Sequence, residues 1–301
     1  MTSTSSAPAP NPNWHKVESY VDQFKAKNEN RVLSKIEGVL ATRYAEKQGK
    51  RDTDHLHPSS LAKNNWCPRE NFYKLTDTEE SNPGTLGIRR LNIFEEGNAI
   101  HDKWQKWMWL TGCLVGNWRC NRCDHGWMGK SPIVCPECGT HDIKYMEVPI
   151  FNDEHHIIGH ADGEWEDHRG RALIEIKSVG LGTIRWDAPD LYRGYEEGNL
   201  SLDDLWKRIK RPLLPHRRQI NLYMYCRKLD QAIVIYEWKP TQEIKEFHLT
   251  LDMDLVQPML DGAKVVLSAL DSGVVPDRPE GFMKSKQCKF CSYKDKCWEK
   301  K

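Results

Sequence analysis

One segment in the middle of the chain constrains the fold more than any other, because it combines two strand-like stretches, a turn and three charged residues. Ile157-Ile158 and residues 172–179 are rich in the aliphatic side chains that favour strands. Between them, Asp167-His168-Arg169-Gly170 has the composition of a turn. The segment therefore predicts a β-hairpin.

The register of this hairpin decides whether its charged side chains meet. If the turn is centred on the His-Arg pair, Asp162 lies opposite Glu175, and directly opposed Cβ atoms are roughly 4.5 to 5.5 Å apart. Side chains alternate along a strand, so Glu175 and Lys177 point to one face and the aliphatic residues between them to the other. Both carboxylates can then reach one metal ion. The alternative is an ordinary hairpin with a solvated cross-strand ion pair.

Two helical segments carry further candidates. Residues 216–229 have helix-forming composition, and Gln219 and Tyr223 lie four residues apart, so they share a helical face. They offer donors and acceptors to a substrate or a lysine, although a surface glutamine beside a core tyrosine is the alternative. Residues 91–110 have apolar residues at helical spacing, and His101 falls on the inward stripe either as a core residue or as a ligand.

Four short motifs follow one another along the chain. They are Gly97-x₃-His101, Gly159-x₂-Asp162, Glu175-x-Lys177 and Gln219-x₃-Tyr223. Their order resembles the PD-(D/E)XK nuclease superfamily in its RecB-like exonuclease branch. One departure is that His160-Ala161 stands before the motif aspartate, where a proline is expected.

The resemblance implies an α/β fold, which is a restriction-endonuclease-like core with a mixed central sheet flanked by helices. The order of strand-like and helix-like segments from residue 147 to 237 fits the same class. The resemblance also implies Mg²⁺ or Mn²⁺ bound by His101, Asp162, Glu175 and the carbonyl group of Ile176. The implied catalytic residues are Asp162, Glu175, Lys177, Gln219 and Tyr223. Among them, the lysine would position and help activate the attacking water, and the last two would support the site from their helix.

Four of the ten cysteines form a set that spans the chain. Cys288, Cys291 and Cys297 cluster near the C-terminus, and three thiolates need a fourth ligand, for which Cys67 is available. This arrangement, with the segment 60–73, resembles the CRISPR-associated RecB-like exonucleases and related helicase-nucleases. The resemblance implies a [4Fe-4S] cluster on these four cysteines, and a structural zinc ion is the alternative.

A second cysteine set has the spacing of paired zinc knuckles. Cys120-x₂-Cys123 and Cys135-x₂-Cys138 predict a Cys₄ zinc ribbon, inserted between the His101 helix and the Asp162 strand. Such a ribbon contacts nucleic acid or a protein, or only stabilises the fold. Disulfides are the competing account of all ten cysteines. No secretory segment follows Met1, so we expect reduced thiolates and a cytoplasmic protein.

The chain is long enough for one nuclease domain with two metal-stabilised appendages. No apolar run is long enough to predict a membrane span. The predicted parts are a disordered tail at 1–13, an N-terminal helical region at 14–58, a nuclease core at 59–116 and 144–240, a zinc-ribbon insertion at 117–143, and a C-terminal helix and iron-sulfur lobe at 241–301, which Cys67 joins.

The net charge of +1 gives no general argument for nucleic acid, so a DNA-binding surface must be local. A basic cluster before and at the start of the Gln219 helix is the predicted DNA contact, and a solvated charge run is the alternative. Its members are Lys207, Arg208, Lys210, Arg211, Arg217 and Arg218. ATP is not expected, because Gly129-Lys130-Ser131 lacks the first glycine of a phosphate-binding loop, where Asp124 stands.

The leading hypothesis is a metal-dependent DNA exonuclease that acts on single-stranded or frayed ends, in recombination, repair, replication or phage DNA processing. A recombination or replication protein is a candidate partner. One alternative is a DNA-end-binding or adaptor protein with vestigial nuclease activity. A CRISPR spacer-processing nuclease is a narrower variant of the leading hypothesis.

Overall fold

The computed structural model describes residues 32–49, 52–81, 86–278 and 286–298. The predicted disordered tail, at 1–13, lies outside these residues, as does the part of the predicted N-terminal helical region before residue 32. The chain divides into two compact units, Met1–Asp52 with Pro83–Asn98, and Thr53–Asn82 with Ala99–Lys301.

The elements are numbered in chain order over the described residues. The helices are α1 Leu33–Gly49, α2 Pro58–Leu61, α3 Pro68–Leu75, α4 Ile88–Leu110, α5 Leu181–Asp187, α6 Pro189–Glu196, α7 Leu202–Arg208, α8 Leu214–Arg227, α9 Met253–Ser272, α10 Lys286–Lys289 and α11 Lys294–Trp298. The strands are β1 Leu114–Cys120, β2 Gly126–Lys130, β3 Ile143–Tyr145, β4 Val148–Asn152, β5 Ile157–Ala161, β6 Gly163–Asp167, β7 Gly170–Val179, β8 Gln231–Trp238 and β9 Glu243–Thr250.

In the smaller unit, α1 packs on the first part of α4. The rings of Tyr44 and Phe94 stack with centroids 5.8 Å apart. Beside this contact, the Arg43 guanidinium lies 3.3 Å from a carboxylate oxygen of Glu95. The contact between these two helices is therefore partly apolar and partly ionic.

In the larger unit, a mixed sheet has the strand order β2-β1-β6-β7-β8-β9, and β3 also pairs with β1. Only β7 and β8 run parallel among these pairs. The chain between these two strands forms α5 to α8, as a parallel connection requires a crossover. A mixed central sheet flanked by helices is thus the observed fold class.

The central hairpin has the predicted register. Gly163 pairs with Ile174 across β6 and β7, so the turn is centred on His168-Arg169. Asp162 directly precedes the first paired residue and lies at a bend between β5 and β6. The hairpin therefore brings this aspartate beside the strand that carries Glu175.

One arm of the predicted hairpin is wrong. Ile157-Ile158 belongs to β5, which pairs with β4 in a separate two-stranded sheet, with Pro149 opposite His160. The chain changes sheets at the bend, and the true partner of β7 is the more polar β6. Aliphatic composition could not identify that arm, because the polar segment next to it makes the pairing.

Both faces of β7 are buried, whereas the sequence predicted one packed face and one charged face. Leu173 and Val179 belong to a core that β7 and β8 share with α5, α7 and α8. Ile174 and Ile176 belong to a second core, which includes α4 and β1. Glu175 consequently lies within a packed layer. None of the described helices has the length and apolar character of a membrane span.

Candidate active site

Asp162 is the most connected residue of the site. Its Oδ2 accepts the backbone N–H group of Ile176 at 2.6 Å, and its Oδ1 lies 2.7 Å from Nδ1 of His101 on α4. Its backbone carbonyl accepts the hydroxyl of Tyr145 at 2.8 Å and the amide of Gln105 at 3.4 Å. Four contacts from three parts of the chain therefore fix the position of this carboxylate.

Two glycines allow the close packing around Asp162. A Cβ atom on Gly163 would lie 2.7 Å from Leu114 Cδ1 and 2.8 Å from the Tyr145 hydroxyl, which is the group that bonds the Asp162 carbonyl. A Cβ atom on Gly159 would lie 3.1 Å from Pro58 and 3.5 Å from Tyr223. The first approach leaves no room for a side chain.

Glu175 and Lys177 point to the same side of β7. The Lys177 Nζ atom lies 2.7 Å from Glu175 Oε1 and donates to Gln219 Oε1 at 3.1 Å. The Gln219 amide in turn donates to the hydroxyl of Tyr223 at 2.8 Å. Glu175 is 3% exposed and Asp162 is 6% exposed, so the alternative of a solvated hairpin face is excluded. Gln219 and Tyr223 are both buried, so a surface glutamine beside a core tyrosine is excluded too.

The electrostatics of the site reflect its burial. Burial raises the pKa of Glu175 to about 7, aided by the charge of Asp162 and opposed by Lys177. For Lys177, burial acts against the charged form, but the two carboxylates outweigh it and raise the pKa of the ammonium group. For His101, burial again opposes charge, and the Asp162 carboxylate outweighs it and raises the imidazole pKa.

Glu147 belongs to the site, although the sequence analysis did not select it. Ligand atoms of His101, Glu147 and Asp162 all lie within 4.8 Å of one another. The Glu147 backbone is left-handed, with φ of 56°, between β3 and β4. Gln105 donates to its carboxylate at 3.5 Å. Gln105 lies four residues after His101 on α4, which is the same spacing as that of Gln219 and Tyr223 on α8. The sequence could therefore have identified Gln105 as a residue on the same helical face as His101. For Glu147 we find no such signal.

His101, Glu147 and Asp162 fit a hard divalent cation, whereas Glu175 is not within 4.8 Å of all three of them. Carboxylate oxygens and an imidazole are ligands that Mg²⁺ and Mn²⁺ accept. The second oxygen of Glu175, Oε2, is buried and has no hydrogen-bond partner among the residues that the structure describes. A buried carboxylate oxygen without a partner is costly, and a cation would satisfy it.

A cavity of about 260 Å³ lies beside Lys177, and Lys63, Asn64, His216 and Gln219 are among the residues that line it. Arg218 of the predicted basic cluster donates to the Asn64 side chain at 3.2 Å. The other basic side chains are placed as follows: Lys207, Arg208, Lys210 and Arg211 are exposed, and Arg217 is half-buried, 4.0 Å from Asp252.

The four knuckle cysteines converge. The Sγ atoms of Cys120 and Cys138 are 3.5 Å apart, those of Cys123 and Cys135 are 3.7 Å apart, and all four lie within 4.8 Å of one another. Tetrahedral Zn–S bonds of about 2.3 Å put sulfur atoms about 3.8 Å apart, so the group has the dimensions of a Cys₄ zinc site. The residue that follows each knuckle, Asp124 or Gly139, is left-handed, which closes the turn.

The knuckles extend from the central sheet. Cys120 is the last residue of β1, and this strand runs without a break across residue 117, where the sequence predicts the insertion to begin. Cys120 and Cys135 are buried in the same core as Trp118 and Ile143. Backbone N–H groups of the knuckle point at the Cys120 sulfur and, against the effect of burial, lower its pKa to about 7.

The remaining predicted cysteine set is less compact. Cys291 and Cys297 pack against a small core of Phe72, Tyr73, Ala269 and Tyr293. Burial raises the pKa of Cys67 against the backbone N–H groups of Glu70 and Arg69, which lower it, and the charges of the Glu70 carboxylate and Cys297 add to the rise. Among the described residues, the two groups of ligand atoms that lie within 4.8 Å of one another are the four knuckle cysteines and the His101 group, so the remaining cysteine set does not have the spacing of ligands to a single ion. None of the ten cysteines, all of which the structure describes, forms a disulfide.

Neither a protein-family model nor a curated protein sequence matches this chain. Solved structures do match. A protein called SSO0001 has a TM-score of 0.42 at 13% identity, over 86% of this chain and 94% of its own. An alkaline exonuclease, LHK-Exo from Laribacter hongkongensis, has a TM-score of 0.38 at 12% identity, over 74% and 90%. Its complex with dAMP has a TM-score of 0.40 at 13% identity, over 74% and 90%. Likenesses at this level are distant, so the functional argument rests on the geometry of the site.

Proposed function

We propose that this protein is a metal-dependent nuclease of the PD-(D/E)XK type, which hydrolyses phosphodiester bonds at single-stranded or frayed DNA ends. The observation that carries the proposal is the juxtaposition of Lys177 with the buried carboxylates of Asp162 and Glu175, with the lysine held between Glu175 and Gln219. A lysine whose side chain is only 19% exposed, beside two buried carboxylates, is costly as a purely structural feature, because each charge loses much of its hydration.

The proposed cation ligands are His101, Asp162, Glu175 and the Ile176 carbonyl group. A divalent cation bound there would lower the pKa of a water molecule and neutralise charge on the phosphate. Lys177 would hold the attacking water and stabilise the charge that develops on the phosphate oxygens. Gln219 and Tyr223 would keep the ammonium group in place, since they form one hydrogen-bonded chain with it.

The proposed DNA surface continues from the cavity beside Lys177. Lys63 and Asn64 line that cavity, and Arg218 contacts Asn64. The four exposed basic side chains of the cluster defined above would contact phosphates by charge alone, without reading the base sequence. A preference for DNA ends is part of the proposal, as is a role in recombination, repair, replication or phage DNA processing.

Two further metal sites belong to the proposal. Zinc at the four knuckle cysteines is supported by the sulfur spacing. A [4Fe-4S] cluster at Cys67, Cys288, Cys291 and Cys297 is supported by the packing of two of these residues in one small core. In both cases the metal would replace a larger core as a source of stability.

The test is Mn²⁺-dependent digestion of end-labelled linear single-stranded DNA, beside a circular strand of equal length. Wild type, Glu175→Gln and Glu166→Gln are compared. Glu166 is a matched control, because it is a glutamate of the same hairpin that pairs with Lys130 at the surface. We expect wild type and Glu166→Gln to degrade the linear strand alone, and Glu175→Gln to lose activity by at least about 100-fold.

Cleavage of the circular strand as well would support the active-site assignment and contradict the preference for ends. Equal activity of Glu175→Gln and wild type would overturn the site. If neither protein cuts but both still bind DNA, the end-binding or adaptor alternative replaces the nuclease.

A further inference from the structure

We infer that Glu147 is an additional ligand of the divalent cation, in a position that the four sequence motifs do not contain. The inference rests on the proposed function, since it concerns the same cation site. It adds a residue from the segment between β3 and β4 to ligands that come from α4 and the central hairpin.

Geometry gives the first argument. One carboxylate oxygen of Glu147, one imidazole nitrogen of His101 and one carboxylate oxygen of Asp162 lie mutually within 4.8 Å. Atoms at such separations can be bound by one ion after small side-chain rotations, since Mg²⁺ and Mn²⁺ ligands lie about 2.1 Å from the metal. Gln105 donates both to the Glu147 carboxylate and to the Asp162 carbonyl, which holds the two acidic residues in a fixed relation.

Charge gives the second argument. The site holds the carboxylates of Glu147, Asp162 and Glu175 together with the ammonium group of Lys177. Lys177 is bonded to Glu175 Oε1, while Glu175 Oε2 has no partner among the described residues and its side chain is only 3% exposed. This unbalanced negative charge favours a cation with more than one positive charge.

The backbone of Glu147 gives the third argument. A residue other than glycine at φ of 56° is strained, and such strain persists where the surroundings enforce it. Two contacts enforce it here: the Glu147 carbonyl accepts the Asn117 N–H group at 3.1 Å, and the buried Val148 follows directly as the first residue of β4. A glycine would fit this turn with less strain, yet the chain has a carboxylate there.

The test measures Mn²⁺ binding to the zinc- and cluster-loaded protein by calorimetry, without DNA. Glu147→Gln keeps the shape of the side chain and removes its charge, and Glu147→Gly also removes the backbone strain. Glu166→Gln is the control. We expect both Glu147 variants to bind Mn²⁺ at least tenfold more weakly than wild type. We also expect Glu147→Gly to melt at a higher temperature than wild type when Mn²⁺ is absent, which separates loss of binding from loss of folding.

Mn²⁺ affinity of Glu147→Gln within twofold of wild type would overturn the inference, whatever the nuclease assay gives. Weaker binding in both Glu147 variants, together with a wild type that cuts no DNA, would support the ligand and reject the nuclease. The failure of one proposal is therefore distinguishable from the failure of the other.

Discussion

The Asp162 carboxylate accepts the backbone N–H group of Ile176 at 2.6 Å, across the hairpin that begins one residue later. This bond ties the first acidic residue of the site to the strand that carries the second one and the lysine. The local register of two strands, rather than a long-range contact, therefore sets the distance between the two motif carboxylates.

Lys177 is expected to act on the reaction and not on the binding of the cation. In Lys177→Met, Glu175 and Asp162 remain, so Mn²⁺ affinity should stay within about threefold of wild type. The rate constant kcat should fall by at least about 100-fold, because a charged group next to the reacting phosphate is lost. Calorimetry and single-turnover cleavage measure the two quantities. A parallel loss of Mn²⁺ affinity would mean that the lysine only organises the ligands.

How much of this site the sequence predicts depends on the range of each interaction. The hairpin register and the pair on α8 follow from local periodicity, so Asp162, Glu175 and Gln219 could be placed beforehand. Glu147 could not be found in this way. Its position depends on a left-handed turn between two strands of different sheets, and no periodic pattern encodes that turn.

In the fold, too, the features set by local periodicity could be predicted and the others could not. Residues 91–110 and 216–229 are predicted as helices, and the structure has helices at Ile88–Leu110 and Leu214–Arg227. The exchange of β5 for β6 as the hairpin arm was missed, because both faces of β7 are packed and the usual alternation is lost.

Cys135→Ser is expected to remove the zinc ion and destabilise the central sheet. Cys135 lies in the core that also contains Trp118 of β1, so loss of the metal leaves the buried Cys120 thiol and the partly buried Cys138 thiol without a metal beside that core. Zinc content by mass spectrometry should fall from one to zero per chain, and the melting temperature should fall by about 5 °C or more. Cys113→Ser, outside the group, should keep both values. Full zinc content in Cys135→Ser would contradict the Cys₄ assignment.

Cys291→Ala is expected to abolish the visible absorbance of an iron-sulfur cluster. Cys291 packs in the small core beside Phe72 and Tyr73, and burial raises its pKa, aided by the charges of Glu70 and Cys67. The measurement is the absorbance at about 400 nm, where such clusters absorb, after anaerobic purification. Cys226→Ala serves as the control. A wild-type protein that is colourless and contains only zinc would refute the cluster.

A buried ion pair between α4 and β8 is expected to contribute to stability through its burial. The Lys103 ammonium lies 2.6 and 2.7 Å from the two carboxylate oxygens of Glu237, which is 1% exposed. In Lys103→Met the Glu237 carboxylate loses the ammonium group and keeps the Trp104 indole N–H group as a donor, so the free energy of unfolding should fall by about 2 to 3 kcal/mol. Urea unfolding measures this value.

The surface pair of Lys130 and Glu166 is the matched control for that measurement. Both side chains are exposed, so Lys130→Met should change the free energy of unfolding by less than about 0.5 kcal/mol. Similar losses in both lysine variants would show that burial of the Glu237 carboxylate is not the cause.

His216 is expected to make the protein less stable in mild acid. The Tyr236 hydroxyl accepts the Leu213 N–H group and is hydrogen-bonded to Nδ1 of His216. Burial, aided by the charge of Lys177, lowers the pKa of His216 to about 3 from its ordinary 6.5. The unfolded chain takes up this proton below pH 6.5 and the folded protein does not, so the stabilisation is complete above pH 6.5 and is lost as the pH falls toward 3.

One pKa unit corresponds to about 1.4 kcal/mol, so between pH 7.5 and pH 5 wild type should lose about 2 kcal/mol more than His216→Gln. Urea unfolding of both proteins at the two pH values measures this difference, and the comparison cancels the other titrating groups that the two proteins share. Equal losses in wild type and variant would show that the folded protein binds the proton as readily as the unfolded chain does.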